Sequence, residues 1–235
     1  MIAVVPAAGR GSRLGPLTVD RPKALIPVAG RPVLFWVIEG LAAAGVSEVV
    51  VVTGHLAEQI EGVLDRAPIA VSTVRQRSPR GTADALMAAS VAVDGRPFIY
   101  AWGDLVTDPA WYRRVVEAWP GGAALAVNRV DDPTAGAAVT VDGAGSVTSI
   151  VEKPPAGSSS TPFNASGIGA LPAGAWAHLA AVEPSVRGEL EITSALVSMV
   201  AAGVPFTAVE IGPVFDIGTP DGLAAAELWA AERPA

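Results

Sequence analysis

Short runs of apolar, mostly β-branched residues alternate in the first half of the chain with segments in which apolar residues recur at helical spacing. The runs predict buried strands over residues 2–6, 48–52, 70–74 and 98–102. The helical spacing predicts helices over 34–44, 56–64, 82–90 and 109–119. Strands and helices that alternate in this way are typical of βαβ units, which build a parallel sheet with helices on both faces.

After Gly122 the pattern changes to apolar segments joined by short turns, which predict a strand-rich second half. Strands are expected over 123–130, 137–141, 147–152, 163–170, 206–210 and 214–216, and helices over 173–181, 192–202 and from Pro220 onward. We therefore expect an α/β, Rossmann-like, doubly wound fold with a mostly parallel central sheet, helices on both faces and a small strand-rich elaboration. We expect a single domain of residues 1–235, whose halves are 1–122 and 123–235.

The composition is that of a globular protein, since 51% of the residues are hydrophobic and 17% are charged. The 235 residues include no cysteine, which excludes disulfides, thiolate zinc sites, iron–sulfur clusters and cysteine nucleophiles. Two histidines are too few for a histidine-based metal cage. The absence of cysteine also fits a reducing cytosol.

The charge balance argues against a nucleic-acid partner, because 16 Lys and Arg against 23 Asp and Glu give a net charge of −7. Anionic small molecules remain candidates where the basic residues cluster. The N-terminus has no positively charged segment, and its apolar run is too short for a signal peptide. The longest apolar stretch, 194–209, is shorter than the roughly 20 residues of a membrane span. We expect a cytoplasmic protein without a membrane partner, and we leave a homo-oligomer open.

A glycine-rich loop follows the first predicted strand and carries the first candidate chemistry. Gly9 and Gly11 leave backbone N–H groups free to point into a concavity that suits phosphate oxygens. Arg13 and Lys23 add mobile positive charge, so the loop indicates a triphosphate ligand. The loop matches neither the P-loop nor the dinucleotide-binding pattern, and an ordinary glycine-rich turn with solvated arginines is the alternative.

Two carboxylates are candidates for a metal site, because each stands at the carboxyl end of a predicted strand. Asp104 follows Gly103, and Asp216 ends the last predicted strand. Carboxylate oxygens are hard ligands that suit Mg²⁺. The alternative for each aspartate is a turn residue, and Asp216 also stands just before a predicted helix start, with Thr219 as N-cap and Pro220 in the first turn. The metal-ligand interpretation and the turn interpretation are compatible, because one residue can serve both roles.

Further candidates are an amide in one loop and a carboxylate–ammonium pair at the end of one strand. The Gln76 amide matches the edge of a nucleobase, and Gly81 permits close approach to its face, although a solvated loop residue is the alternative. Glu152 and Lys153 are adjacent, so on a strand their side chains begin on opposite faces. Both reach one ligand only if the strand ends there, which Pro154 favours.

These segments, taken in order, resemble the signature of the sugar 1-phosphate nucleotidylyltransferases, the nucleotide-sugar pyrophosphorylase family. The matching motifs are Gly9-x-Gly11-Ser12-Arg13-Leu14 with Pro22-Lys23, Gln76 with Gly81-Thr82-Ala83-Asp84-Ala85, Gly103-Asp104, Gly136-Ala137-Ala138-Val139, Glu152-Lys153-Pro154, Asn164-Ala165-Ser166-Gly167, Gly188-Glu189-Leu190-Glu191-Ile192-Thr193 and Asp216-x-Gly218-Thr219-Pro220. Each motif is weak alone, and their common order is the specific signal.

The resemblance implies that a sugar 1-phosphate oxygen attacks the α-phosphorus of a nucleoside triphosphate and releases pyrophosphate. It assigns nucleotide binding to the half 1–122, through Ala8, Gly9, Gly11, Ser12, Gln76, Gly81 and Thr82. It assigns sugar binding to the half 123–235, through Gly136, Glu152 and Asn164. It gives catalytic roles to Arg13, Lys23 and Lys153, and Mg²⁺ as cofactor to Asp104 and Asp216.

Alternatives to this function come from other motifs of the chain. Residues 4–9 resemble cytidylyltransferases that act on methylerythritol phosphate, and residues 50–55 resemble phosphocholine cytidylyltransferases; the sugar-side motifs argue against both. A catalytically silent subunit that binds nucleotide sugars is a further alternative, opposed by the presence of Arg13, Lys23 and Asp104. Residues 81–85 resemble glucose 1-phosphate adenylyltransferases, whereas 189–193 resemble thymidylyl- and uridylyltransferases, so the base stays open.

Overall fold

A nine-stranded mixed sheet runs through the molecule in the computed structural model, which describes residues 1–119 and 121–233. The strands are β1 (Ile2–Pro6), β2 (Pro27–Val28), β3 (Arg31–Pro32), β4 (Glu48–Thr53), β5 (Ala70–Arg75), β6 (Phe98–Ala101), β7 (Leu105–Thr107), β8 (Ala123–Arg129), β9 (Ala137–Val141), β10 (Val147–Glu152), β11 (Phe163–Leu171), β12 (Phe206–Glu210) and β13 (Val214–Asp216). The α-helices are α1 (Val33–Ala43), α2 (Ala57–Glu61), α3 (Thr82–Ala88), α4 (Ser90–Val93), α5 (Pro109–Glu117), α6 (Ala175–Ala180), α7 (Ile192–Ala201) and α8 (Pro220–Ala231).

The sheet order is β10-β9-β11-β6-β1-β4-β5, and β8 pairs with both β11 and β12. Strands β6, β1, β4 and β5 are parallel, so their carboxyl ends meet at one edge of the sheet. Strand β11 runs antiparallel to β6 and to β8, and it thereby joins the second half of the chain to the first. The expected α/β, Rossmann-like architecture is confirmed.

Alternate residues of the central strands belong to two apolar clusters, one on each face of the sheet. Val4 and Val50 pack on one face, against α3 and α7, while Val5 and Val51 pack on the other, against α1 and α5. A strand that is buried on both faces has apolar residues at successive positions, so it appears in the sequence as a continuous apolar run. The central strands were predicted for this reason.

Some elements differ from the sequence prediction. Helix α2 is shorter than the predicted 56–64, and a separate 3₁₀ turn follows at Leu64–Arg66. The predicted helix 82–90 ends at Ala88 and is followed by α4. The hairpin of β2 and β3 and the short strand β7 were not predicted, because two or three residues are too few to show a period.

The last strand and helix follow the predicted pattern closely. Strand β13 pairs antiparallel with β7 as a separate two-stranded sheet. The Thr219 hydroxyl caps α8 by accepting from the Gly222 N–H at 3.1 Å, with Pro220 in the first helical turn. Of the helices within 1–119 and 121–233, none has the length and apolar character that crossing a membrane requires.

Candidate active site

The loop that follows β1 presents unpaired backbone donors at the carboxyl edge of the sheet. Among the residues that the structure describes, the N–H groups of residues 8–11 have no hydrogen-bond acceptor. Gly11 is left-handed with φ of 66° and begins a 3₁₀ helix, Ser12–Thr18. This turn places Arg13 at the surface, where its guanidinium has no carboxylate partner within the described part of the chain. The loop therefore offers N–H groups and a free cation, which suit an anion.

Two cations and two carboxylates meet beside this loop. Lys23 forms an ion pair with Asp104, and Asp216 is brought alongside because β13 pairs with β7, the strand that begins just after Asp104. Gly218 lies at the centre of the group. A Cβ at Gly218 would lie 2.8 Å from both Arg13 Nη2 and Asp216 Oδ1, and 3.3 Å from Lys23 Nζ.

The two carboxylates would suit a magnesium ion. Burial raises the pKa of Asp104, and the nearby Asp216 carboxylate raises it further, although the Lys23 ammonium opposes both effects. A divalent cation relieves such repulsion between adjacent carboxylates. Within 1–119 and 121–233, no cluster of three or more acidic or histidine side chains forms a complete metal cage. Mg²⁺ commonly takes only one or two carboxylates and completes its shell with water and substrate phosphates.

A pocket of about 200 Å³ lies on one side of this group, at the carboxyl ends of β1, β4 and β5. It is lined by Ala8, Arg10, Gly54, His55, Gln76, Arg77 and Pro79. The predicted nucleotide residues Ala8 and Gln76 therefore meet here. Gln76 is fixed by its side chain, whose Nε2 donates to Asp84 Oδ2 at 2.7 Å.

Gly81 and Thr82, which the sequence assigns to nucleotide binding, contact the loop before α7. Gly81 has φ of 127° and packs directly against the backbone of Leu190. The Ala83 N–H donates to the Leu190 carbonyl at 2.8 Å, and the Ile192 N–H donates to the Thr82 hydroxyl at 2.9 Å. Thr82 thus holds two loops together in addition to facing the cleft.

A cleft of about 340 Å³ lies on the other side and is lined by Arg13, Asp216, Gly136, Glu152 and Lys153, among others. Glu152 is the last residue of β10, and Lys153 adopts a left-handed backbone conformation with φ of 43°. This turn breaks the strand alternation, so both side chains border one cleft. The expectation that the strand ends at this pair is confirmed.

The Glu152 carboxylate is held at both oxygens. Thr193 Oγ1 donates to Oε2 at 2.6 Å, and Arg187 Nη2 donates to Oε1 at 3.1 Å. Arg187 also pairs with the buried Glu191 at 2.8 Å. Neither Arg187 nor Thr193 was predicted as a site residue, although a cation directly before the Gly188 motif is a signal that could have drawn attention to Arg187.

Gly136 and Asn164 are the other two predicted sugar-binding residues, and they lie in contact with each other. Gly136 lines the cleft, and the Asn164 side chain packs against the Gly136 backbone. Asn164 is only 9% exposed, and its Oδ1 has no hydrogen-bond partner among the described residues. The assignment of Asn164 to sugar binding stays a prediction, and its unpaired Oδ1 is next to a residue that lines the cleft.

Residues 2–232 match the nucleotidyl transferase family, and the chain belongs to this family. It is 34% identical over 211 residues to the low-salt glycan biosynthesis nucleotidyltransferase Agl11 of Haloferax volcanii, an alignment that covers 86% of this chain and 58% of Agl11. It is 34% identical over 241 residues to the UTP–glucose-1-phosphate uridylyltransferase AglF of the same organism, covering 97% of this chain and 95% of AglF.

Among solved structures, UDP-glucose pyrophosphorylase from Acinetobacter baumanii is similar with a TM-score of 0.89 at 25% identity. The superposition covers 100% of this chain and 95% of that one. The resemblance inferred from the ordered motifs is thereby confirmed, and the chain spans about 58% of the length of Agl11.

Proposed function

We propose that this chain transfers a nucleotidyl group from a nucleoside triphosphate to a sugar 1-phosphate, giving a nucleotide sugar and pyrophosphate. One observation carries the proposal: a single loop borders three cavities in turn. Ala8 lines the pocket that contains Gln76, Gly9 lines a crevice with Lys23 and Asp104, and Arg13 lines the cleft of Glu152 and Lys153. A base, a triphosphate and a sugar phosphate would fit this sequence of sites.

The residues of the chain support an in-line displacement without a covalent intermediate. The free N–H groups of residues 8–11 would hold the triphosphate, and Arg13 and Lys23 would stabilise the charge that develops on the α-phosphate and on departing pyrophosphate. Lys153 would orient the sugar phosphate so that its oxygen attacks the α-phosphorus. Arg187, on the same cleft, would add a second contact to that phosphate.

Magnesium belongs to this proposal because Asp104 and Asp216 form a suitable pair of oxygen ligands. When bound, Mg²⁺ neutralises phosphate charge during the transfer. Lys23 is already paired with Asp104, so this ammonium would stay close to the same phosphate group. Removal of divalent cations is expected to abolish pyrophosphate release.

The sugar side of the proposal rests on Glu152, whose carboxylate is oriented by Thr193 and Arg187. A carboxylate accepts hydrogen bonds, so Glu152 would bind hydroxyl groups of the sugar. Gly136 would contact the sugar through its backbone, and Asn164, whose side chain packs against Gly136, would contact it through its amide. The half 1–122 would therefore bind the nucleotide and the half 123–235 the sugar.

The test is pyrophosphate release with Mg²⁺, with ATP, GTP, CTP, UTP and dTTP crossed against sugar 1-phosphates, methylerythritol phosphate and phosphocholine. Arg13→Ala and Lys23→Ala are each expected to reduce turnover by about 10²-fold or more, the scale of a lost transition-state contact. Arg21→Ala is the matched control, because Arg21 is exposed and close in sequence but lines none of the three cavities. Near-normal rates in both variants, or release only with a non-sugar phosphate, would contradict the proposal.

A further inference from the structure

The guanidinium of Arg187 lies between two carboxylates that belong to different elements. Its Nη2 is 3.1 Å from Oε1 of Glu152, at the end of β10, and 2.8 Å from Oε1 of Glu191, which directly precedes α7. Nη2 carries two hydrogens, so each carboxylate can accept one of them. Nε and Nη1 have no acceptor among the residues that the structure describes, and neither is a buried atom without a partner. Three N–H donors of Arg187 are therefore open at the cleft that this residue lines.

Glu191 stands at a position where a side chain ordinarily serves the helix. It is the N-cap of α7, where Ser, Thr, Asp and Asn are favoured because their short side chains accept from the N–H groups of the first turn. The Glu191 side chain makes no such bond. Its Oε1 accepts instead from Ser185 Oγ at 2.6 Å and from Arg187. The buried carboxylate is thus directed at the Arg187 loop and not at the helix that it precedes.

The backbone of the loop 185–191 is ordered, but its hydrogen bonds do not fix the long side chain of Arg187. The Arg187 N–H donates to Ser185 Oγ at 3.2 Å, and the Gly188 N–H donates to the Ser185 carbonyl at 2.8 Å. Beyond its backbone, Arg187 is held only by the two carboxylates within the described part of the chain. Ordering a flexible arginine before the ligand arrives removes that entropy cost from binding.

The two carboxylates differ in whether they stay available to Arg187 when a sugar binds. Under the proposed function, Glu152 accepts hydrogen bonds from sugar hydroxyls, and its side chain is 26% exposed. A sugar that binds there competes with Arg187 for the same carboxylate oxygens. The Glu191 side chain is only 7% exposed, so its ion pair with Arg187 is shielded from that competition.

We propose that Glu191 is a positioning residue that orients Arg187 so that its open N–H groups meet the phosphate of the sugar 1-phosphate. This inference rests on the proposed function, in which Arg187 contacts that phosphate. Glu191 itself touches neither substrate in this arrangement. It acts through Arg187, by keeping the guanidinium at the cleft while Glu152 exchanges its partners for the sugar.

The first test uses Glu191→Asp, a variant that should fold at least as well as the wild type. Asp is a favoured N-cap, so the shorter carboxylate can accept from N–H groups of α7 while it withdraws from Arg187. The melting temperature should stay the same or rise. KM for the sugar 1-phosphate should nevertheless rise by about 5- to 20-fold, the effect of losing a hydrogen bond between charged groups. The triphosphate KM and kcat should stay within about twofold, because the contact contributes to binding alone.

Glu183→Asp is the matched control. Glu183 is exposed, lies just before the same loop and lines neither the pocket of Gln76 nor the cleft of Glu152. The same chemical change at this position should leave both KM values at the wild-type level. A wild-type KM for the sugar 1-phosphate in Glu191→Asp would overturn the inference.

A double-mutant cycle separates positioning of Arg187 from a general effect on the loop. Arg187→Ala should raise KM for the sugar 1-phosphate at least as far as Glu191→Asp does. If Glu191 acts through Arg187, adding Glu191→Asp to Arg187→Ala should raise KM no further. Effects that multiply in the double variant would overturn the positioning role.

NMR of the Arg187 Nε–H group tests the positioning without turnover. A guanidinium held by two carboxylates should give a sharp signal, identified by its loss in Arg187→Ala, and the signal should broaden in Glu191→Asp. An unchanged signal would overturn the inference whether or not the chain catalyses transfer. If the signal broadens but no triphosphate and sugar 1-phosphate pair releases pyrophosphate, the proposed function fails while the positioning of Arg187 by Glu191 stands.

Discussion

Replacement of Gly81 by alanine should separate two loops that the fold holds together. Gly81 has φ of 127° and ψ of −179°, a backbone conformation that is essentially restricted to glycine. An added Cβ would lie 2.6 Å from the Leu190 nitrogen and 2.9 Å from its carbonyl carbon, closer than real Cβ atoms approach other atoms. These neighbours are backbone atoms, so the clash cannot be relieved by rotating a side chain.

The expected loss of stability has two parts. The backbone strain contributes about 1–3 kcal/mol. Movement of the Leu190 loop would also break the bonds from Ala83 N–H to Leu190 and from Ile192 N–H to Thr82, each of which contributes about 1 kcal/mol. We therefore expect the free energy of unfolding of Gly81→Ala to fall by about 3–5 kcal/mol if the two parts add.

Urea unfolding measures this change, and Gly203→Ala is the matched control. Gly203 is also left-handed, with φ of 77°, but a Cβ added there would have no atom of the described residues within 4 Å, so only strain of about 1–2 kcal/mol is expected. Because Gly81 borders the nucleotide loop and Leu190 precedes the Glu191 segment, KM should rise for both substrates. Equal losses of stability in the two variants would refute the argument that contact with Leu190 makes Gly81 necessary.

Three further variants test other contacts. Tyr112→Phe should keep or raise the melting temperature, because the Tyr112 hydroxyl is buried without a partner among the described residues and such a group costs about 1–3 kcal/mol; a lower melting temperature would contradict this. Thr193→Val should raise KM for the sugar phosphate by about tenfold, the value of one strong hydrogen bond to Glu152, with kcat little changed; an unchanged KM would argue against that role. The Arg75 guanidinium donates a hydrogen bond to Glu61 and lowers the pKa of this carboxyl below its ordinary 4.5, so the carboxylate stabilises the fold above pH 4.5 and loses the effect as pH falls through its lower native value. The stability difference between wild type and Glu61→Gln should therefore be largest above pH 4.5 and shrink as the pH falls below it, and a constant difference would contradict the assignment.

The central strands were well predicted from the sequence, and physical reasons explain where other elements were not. Strands β1 and β4 are buried on both faces, so their apolar runs are unambiguous. Strand β7 has three residues and is defined by its pairing with β13, which lies far along the chain. Local periodicity carries no information about such a partner.

The site was predictable where a motif is local and not where it depends on tertiary contacts. The residue types of Arg13 and Lys23 are visible in the glycine-rich segment, but their convergence at Gly218 arises only from the folded chain. Pro154 indicated that β10 ends at Glu152, whereas the left-handed conformation of Lys153 has no sequence signal of its own.

The ladder between β6 and β11 also limits how substrates can enter and leave. Ile168 to Leu171 pair with Ala101 to Phe98, so the two halves of the chain share one continuous hydrogen-bonded sheet. Rotation of the two halves away from each other would break the hydrogen bonds between β6 and β11. Under the proposed function, binding of substrates and release of products would therefore depend on movements of the loops at the sheet edge rather than on rotation of the two halves.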